Sequence, residues 1–275
     1  MQQPIKVLLP WLERDEAVTS LLGRVPNQDE DVAQYVETWE QSRTALNGRP
    51  VFAPLDVVEA TPVELEQQMA ELRGRADIQQ LRAELNCDVG IANLEGVISF
   101  QKTVASEEAE VRVARVTQDD WNSLVEVCLP QASLSEIPIL FDQPNKAFTV
   151  SSLNPNLRIN GIGFQNGLFQ FQIQVANSIV QVAEYRGRWF LRDGYHRCYG
   201  LLRKNITRIP CLIVRAQNFQ QVGAAGDIFF SYELLFGDRP PMLRDFLNDT
   251  YSRNTQRRAT RKVIRIVGQE FVVDV

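Results

Sequence analysis

Residues 189–214 read WFLRDGYHRCYGLLRKNITRIPCLIV, and their reading decides the fold. Trp189 to Leu191 is an apolar run expected to form a buried strand. Asp193-Gly194 ends it sharply, because glycine reaches backbone angles that other residues avoid. A helix is expected from Tyr195, with Cys198, Leu201 and Leu202 on its inner face and Asn205 as terminator. Ile209 to Val214 is a second apolar strand, with Pro210 near its start, where a missing N–H costs least.

A helix that follows a glycine turn begins with unpaired backbone N–H groups and the positive end of its dipole. Such a start attracts anions. His196 and Arg197 occupy that first turn, where cations oppose the dipole. An anionic ligand removes the conflict. Arg197 has the fork to grip two phosphate oxygens. His196, the only histidine in the chain, can donate a hydrogen bond or transfer a proton. Asp193 can orient either residue or help hold a metal–nucleotide complex. The local reading is therefore an anion site, most simply for nucleotide phosphate.

The sequence before this stretch is β-rich. Leu168 to Val175 and Ile179 to Tyr185 alternate apolar and polar residues, and Arg186-Gly187 makes a turn into Arg188–Leu191, which predicts a hairpin. Further upstream the pattern is helical. Asp29-Glu30-Asp31 opens a helix through Tyr35, Trp39 and Leu46, its acids at the positive dipole end. Thr61-Pro62-Val63-Glu64 reads as N-cap, first helical residue and capping box, with Gly74 separating that helix from one carrying Ile78, Leu81 and Leu85. Val97 to Val104 fits either a strand or a buried helical turn. Glu110 to Val116 alternates like a strand. Gln118 to Trp121 reads as a further helix start, and a boundary falls near residues 130–145. After the motif, helices are expected through Leu234 and from Pro240-Pro241, then a strand pair around Gly268.

Composition narrows the classes. The chain has 275 residues, 44% of them hydrophobic, so a packed core is expected. Its net charge of −5 argues against general attraction to polyanions. A local basic run (Arg257, Arg258, Arg261 and Lys262) is the place where nucleic acid could dock, or else a solvated loop. Cys87, Cys128, Cys198 and Cys211 are scattered without metal-ligand spacing, so no metal site is expected and buried reduced thiols are. No run reaches the about 18 apolar residues of a membrane span. A cytoplasmic protein is expected.

Asp193-Gly194-Tyr195-His196-Arg197, followed by an amphipathic helix and Ile209-Pro210 before an apolar strand, resembles the ParB/sulfiredoxin superfamily. The resemblance covers about 26 residues plus the preceding hairpin. It implies a mixed α/β domain that binds ATP or CTP, with or without Mg2+, at this turn. Gly194 and Arg197 match the family's phosphate-binding G-x-x-R, and His196 matches the histidine of its kinases and of sulfiredoxin. Tyr195 stands where sulfiredoxin has its reactive cysteine, and the arginine-rich box and helix-turn-helix of partition proteins are not evident. Both activities are therefore disfavoured. Glu184 is the available candidate for a catalytic base. Arg158, in a polar Pro/Arg segment with Asn154-Pro155-Asn156, is a second ligand candidate.

The expected architecture is α+β: a mainly helical region over residues 1–135, then a ParB/sulfiredoxin-like domain over 136–275. The expected site comprises Asp193, His196 and Glu184 as catalytic groups, with Gly194, Tyr195, His196, Arg197 and Arg158 holding the nucleotide. The expected function is nucleotide binding, with phosphotransfer or NTP hydrolysis as the enzymatic form. The alternatives are a DNA-binding regulator or nuclease using the basic run, and a degenerate interaction module. The N-terminal helices are the expected surface for a protein partner.

Overall fold

Ile209 to Val214 does form a strand, buried along its whole length, and the main sheet is built around it. The computed structural model describes residues 2–118, 120–131, 137–152, 157–165, 168–175, 178–223, 229–260, 262–269 and 272. In chain order the first elements are β1 (Gln2–Leu8), α1 (Arg14–Leu22), α2 (Ala33–Asn47), β2 (Val58–Glu59), α3 (Glu66–Gly74), α4 (Ala76–Glu84), β3 (Cys87–Asn93), β4 (Thr103–Ala105), α5 (Ser106–Arg112) and α6 (Trp121–Cys128). Then come β5 (Ile139–Asp142), β6 (Ala147–Ser152), β7 (Leu157–Gln165), β8 (Leu168–Val175), β9 (Gln181–Tyr185) and β10 (Arg188–Asp193). The last are α7 (Tyr195–Arg203), β11 (Arg208–Arg215), α8 (Phe219–Val222), α9 (Tyr232–Phe236), β12 (Ser252–Arg258) and β13 (Lys262–Val267). The class is α+β.

The chain divides into two units, Met1–Pro130 with Ile179–Arg258, and Gln131–Ser178 with Ala259–Val275. This differs from the boundary expected at 135/136. The physical reason is strand pairing between distant segments. β3 pairs antiparallel with β11, and β1 pairs antiparallel with β12 from Gln2↔Arg258 to Leu8↔Ser252. The N-terminal region is thus not a separate helical body but the larger part of the first unit, and it supplies strands to both of that unit's sheets.

The larger sheet has the order β10-β9-β11-β3-β2, and the smaller β12-β1-β4. β9 and β10 form the expected hairpin, with Arg186 and Gly187 both at positive φ. β11 then lies parallel to β9 on its other side, so α7 carries the chain across one strand. The fully buried Phe100, Phe190 and Phe246 contribute about 1.5–3 kcal/mol each by leaving water.

The second unit holds two small antiparallel sheets, β13-β6-β5 and β7-β8. β13 pairs antiparallel with β6; the second half of the strand pair expected around Gly268 lies mostly outside the described residues.

Three local expectations shift. Residues 110–112 are helical, not strand: Glu107 and Glu108 sit in the first turn of α5, where acids complement the dipole, and Val111 is exposed. Thr61 does not cap; Val63–Leu65 forms a 3-10 turn before α3 begins at Glu66. Asp119 lies outside the described residues, but Asp120 caps α6 by accepting from the backbone N–H of Asn122 and Ser123.

α5 and α7 touch backbone to side-chain stem. A Cβ on Gly200 would stand 2.7 Å from the Ala109 carbonyl oxygen and 2.8 Å from Val113 Cγ2. Beyond this point Lys204 Nζ donates to the carbonyls of Val113 and Val116, each at 2.7 Å, which satisfies the chain end of α5. Replacing Gly200 with Ala forces these helices apart. It is expected to cost about 1–3 kcal/mol, read by urea unfolding of G200A against the parent.

Candidate anion-binding site

The turn before α7 has the geometry expected of it. Gly194 adopts φ 101°, and a Cβ there would meet Val180 Cγ2 at 2.8 Å, so both conformation and space require glycine. No side chain caps the helix start, and its first turn carries no acidic residue. The dipole end is left for other groups to complement.

The side chains divide sharply by direction. Tyr195 is buried, its hydroxyl accepts from the Phe100 N–H at 3.0 Å, and its ring meets Phe100 edge-on at 5.5 Å. Burial pushes its phenol far above the ordinary range. Arg197 is only 4% exposed and donates from Nη1 to the Val127 carbonyl at 3.0 Å, at the end of α6. Desolvation lowers the pKa of its guanidinium, partly offset by Cys128 and Asp193. Arg197 is therefore a buried helix-capping group, not the outward phosphate grip that its place in the motif suggested. Tyr195 is a core residue for the same reason of direction.

His196 alone turns outward, with its side chain 25% exposed. Its Nε2 lies 3.6 Å from Oε2 of Glu108, beyond hydrogen-bond distance, and the two form an ion pair only when His196 is protonated. Arg112, one turn further along α5, donates from Nε to Glu108 Oε1 at 3.0 Å. Burial holds the His196 pKa below its ordinary value; Glu108 works against this, and the charges of Arg112, Arg257 and Arg197 add to it. Burial opposes ionisation of Glu108, but His196, Arg112 and Arg257 overcome it, so its carboxyl titrates below the usual range.

Arg257 thus belongs to the same electrostatic neighbourhood. It lies on β12 opposite Gln3, is exposed, and reaches Thr103 Oγ1 at 3.5 Å. The basic run is partly an edge strand, not a loop. Arg258 is also exposed on β12, Lys262 is exposed on β13 in the second unit, and Arg261 lies outside the described residues.

The remaining candidates separate. Asp193 ends β10 beside the turn, and its charge acts on both Arg192 and Arg197. Glu184 is displaced from the site: it pairs with Trp189 while Gln181 pairs with Asp193, so it sits about 10 Å along the hairpin. There it accepts from the Gly187 N–H at 2.9 Å and lies 3.7 Å from Arg215, which makes it a turn-stabilising residue instead of a base at α7. Arg158 lies on β7 in the second unit, and Asn154-Pro155-Asn156 falls outside the described residues. Cys128, Cys198 and Cys211 are buried, and burial pushes the Cys128 thiol up to about 12 and the other two well above their usual range, so none is a ready nucleophile.

Glu108 and Arg112 escaped the sequence reading. Their signal was an i,i+4 acid–base pair in Ser106–Arg112, hidden by the valine alternation that follows. No family model, no curated protein and no solved structure matches this chain. Among the described residues no helix is long and apolar enough to cross a membrane.

Two outcomes follow from this geometry. Because the folded His196 value lies below 6.5, the unfolded chain takes up that proton first as pH falls, so stability declines from about pH 6.5 downward. Glu108 adds loss in the same direction as pH falls below 4.5 through its lower folded value. H196Q is expected to show a smaller stability difference between about pH 7.5 and about pH 5.5 than the parent, measured by urea unfolding. R197M leaves the Val127 carbonyl and Asp193 without the guanidinium, and is expected to lose about 1–3 kcal/mol on the same assay.

Proposed function

We propose that the first unit is a cytoplasmic nucleotide-binding module of the ParB/sulfiredoxin type, taking ATP or CTP with its phosphates at the start of α7. One observation carries the reading: an uncapped helix start behind a left-handed glycine presents His196 outward, with the charges of Arg112 and Arg257 acting at the same place. Backbone N–H groups of the first turn bind the phosphate oxygens. Arg257, exposed and flexible in reach, supplies the outer cation in the part first given to Arg197. With His196 counted neutral, two arginines face one glutamate here, which favours an anion.

In the enzymatic form His196 moves a proton at the phosphate, and Glu108 is a positioning residue that sets its orientation and charge. Phosphotransfer or hydrolysis then relies on placement and charge stabilisation, and Mg2+ joins with the nucleotide. In the non-enzymatic form the nucleotide switches association with a protein partner.

Calorimetry and thermal unfolding with ATP and CTP, each with and without Mg2+, test the proposal. One nucleotide is expected to bind and raise the unfolding temperature, with stabilisation of about 2.7 kcal/mol at a hundredfold excess over Kd. R257A is expected to weaken that binding while leaving the unfolding temperature of the free protein unchanged. Absence of binding by both nucleotides under all conditions overturns the proposal.

The exposed arginines of β12 favour a second reading, contact with a nucleic-acid backbone. Its mark is a gel shift that weakens steeply with salt and is lost in R257A/R258A; no shift at low salt excludes it.

A further inference from the structure

A cavity of about 850 Å³ lies in the first unit, and no residue of the α7 motif lines it. Its volume falls within the range of small-molecule sites. One wall is the irregular segment before β2. That segment is pinned along its length: the Phe52 N–H donates to the Asp238 carbonyl at 2.7 Å, Arg239 Nε donates to the Arg49 carbonyl at 2.6 Å, and the Asn93 N–H donates to the Val57 carbonyl at 2.8 Å. The wall is therefore preformed without a ligand.

The cavity floor is an ion pair. Arg49 Nη1 donates to Asp245 Oδ2 at 2.7 Å, and the Arg49 guanidinium lies 5.6 Å from the Tyr251 ring and 6.0 Å from the Trp11 ring. Asp245 also accepts from the Met242 N–H, so its charge is consumed by the protein. Asp249, at the edge, is paired with Lys6 at 2.7 Å. What remains unmatched among the described lining residues is cationic. Arg244 is exposed and makes no hydrogen bond or ion pair, and Arg239 uses only its Nε. They face one uncommitted carboxylate, that of Glu95.

The rim is apolar and wet. Val51 is 58% exposed, Leu55 64% and Leu247 41%, and all three line this cavity. Exposed aliphatic side chains around a polar floor provide a place for an apolar body, and unused guanidinium forks above it provide a place for an oxyanion.

We propose that this cavity is a second ligand site, separate from the α7 start, that takes a small aromatic or aliphatic molecule bearing a carboxylate or sulfonate. The apolar part lies against Phe52, Leu55 and Leu247, and the oxyanion is held by Arg239 and Arg244. The preference for an amphipathic anion over a neutral analogue is set by the two arginines alone.

The test uses the full chain and two fluorescent probes, 8-anilinonaphthalene-1-sulfonate and its uncharged counterpart N-phenyl-1-naphthylamine. The sulfonate is expected to bind saturably at one site per chain, and the neutral probe about tenfold or more weaker. R244E is expected to weaken sulfonate binding by about tenfold or more; the fold survives, because Arg244 makes no hydrogen bond or ion pair and only its charge acts on Asp245. A53W, which fills the cavity from its exposed wall, abolishes binding. V63S removes an exposed valine elsewhere and leaves binding as in the parent. Equal affinity for both probes, or R244E and A53W binding like the parent, overturns the proposal.

Discussion

The contact of α5 with α7 at Gly200 is the constraint on which the candidate site depends. Without a Cβ at that position the Ala109 carbonyl comes close enough for two short helices to lie almost in backbone contact. That approach places Glu108 opposite His196 and Glu110 opposite Arg203, on residues about ninety positions apart in the chain. A larger residue would move the acid away from the histidine and expose the seam between the helices. The chemistry near α7 is thus a property of helix spacing as much as of the motif itself.

This also explains what could be read from the chain beforehand and what could not. The hairpin, the glycine turn, α7 and β11 were legible because each is specified locally, by alternation, by a left-handed backbone position, or by helical spacing of Cys198, Leu201 and Leu202. Arg197 was misread because a charged residue in a first helical turn says nothing about which way it points. Here Arg197 turns inward to the Val127 carbonyl at the end of α6, where the Cys128 and Leu129 carbonyls are met by Val180 and Arg75. Glu184 was misread because strand register, which moves it to the far end of the hairpin, is invisible in composition. Glu108, Arg112 and Arg257 belong together only through tertiary contacts between α5, α7 and β12.

The same logic applies to the domain boundary. A change from helical to β-rich composition suggested two successive bodies that meet near residues 130–145. Strand pairing overrides it, since β3 finds its partner in β11 and β1 finds its partner in β12. Composition reports local preference, whereas the edge of a unit is set by where hydrogen-bond ladders close.

The pairing of β1 with β12 has a consequence for the protein's manufacture. Gln2 meets Arg258, so the first strand has to wait on the ribosome for a partner made about 250 residues later. At about 5–20 residues per second that interval is on the order of tens of seconds. During it β1, whose Val7 and Leu8 on opposite faces are both fully covered in the finished fold, has no sheet neighbour on one edge. Interruption of synthesis before residue 252 would release a product that cannot complete its smaller sheet.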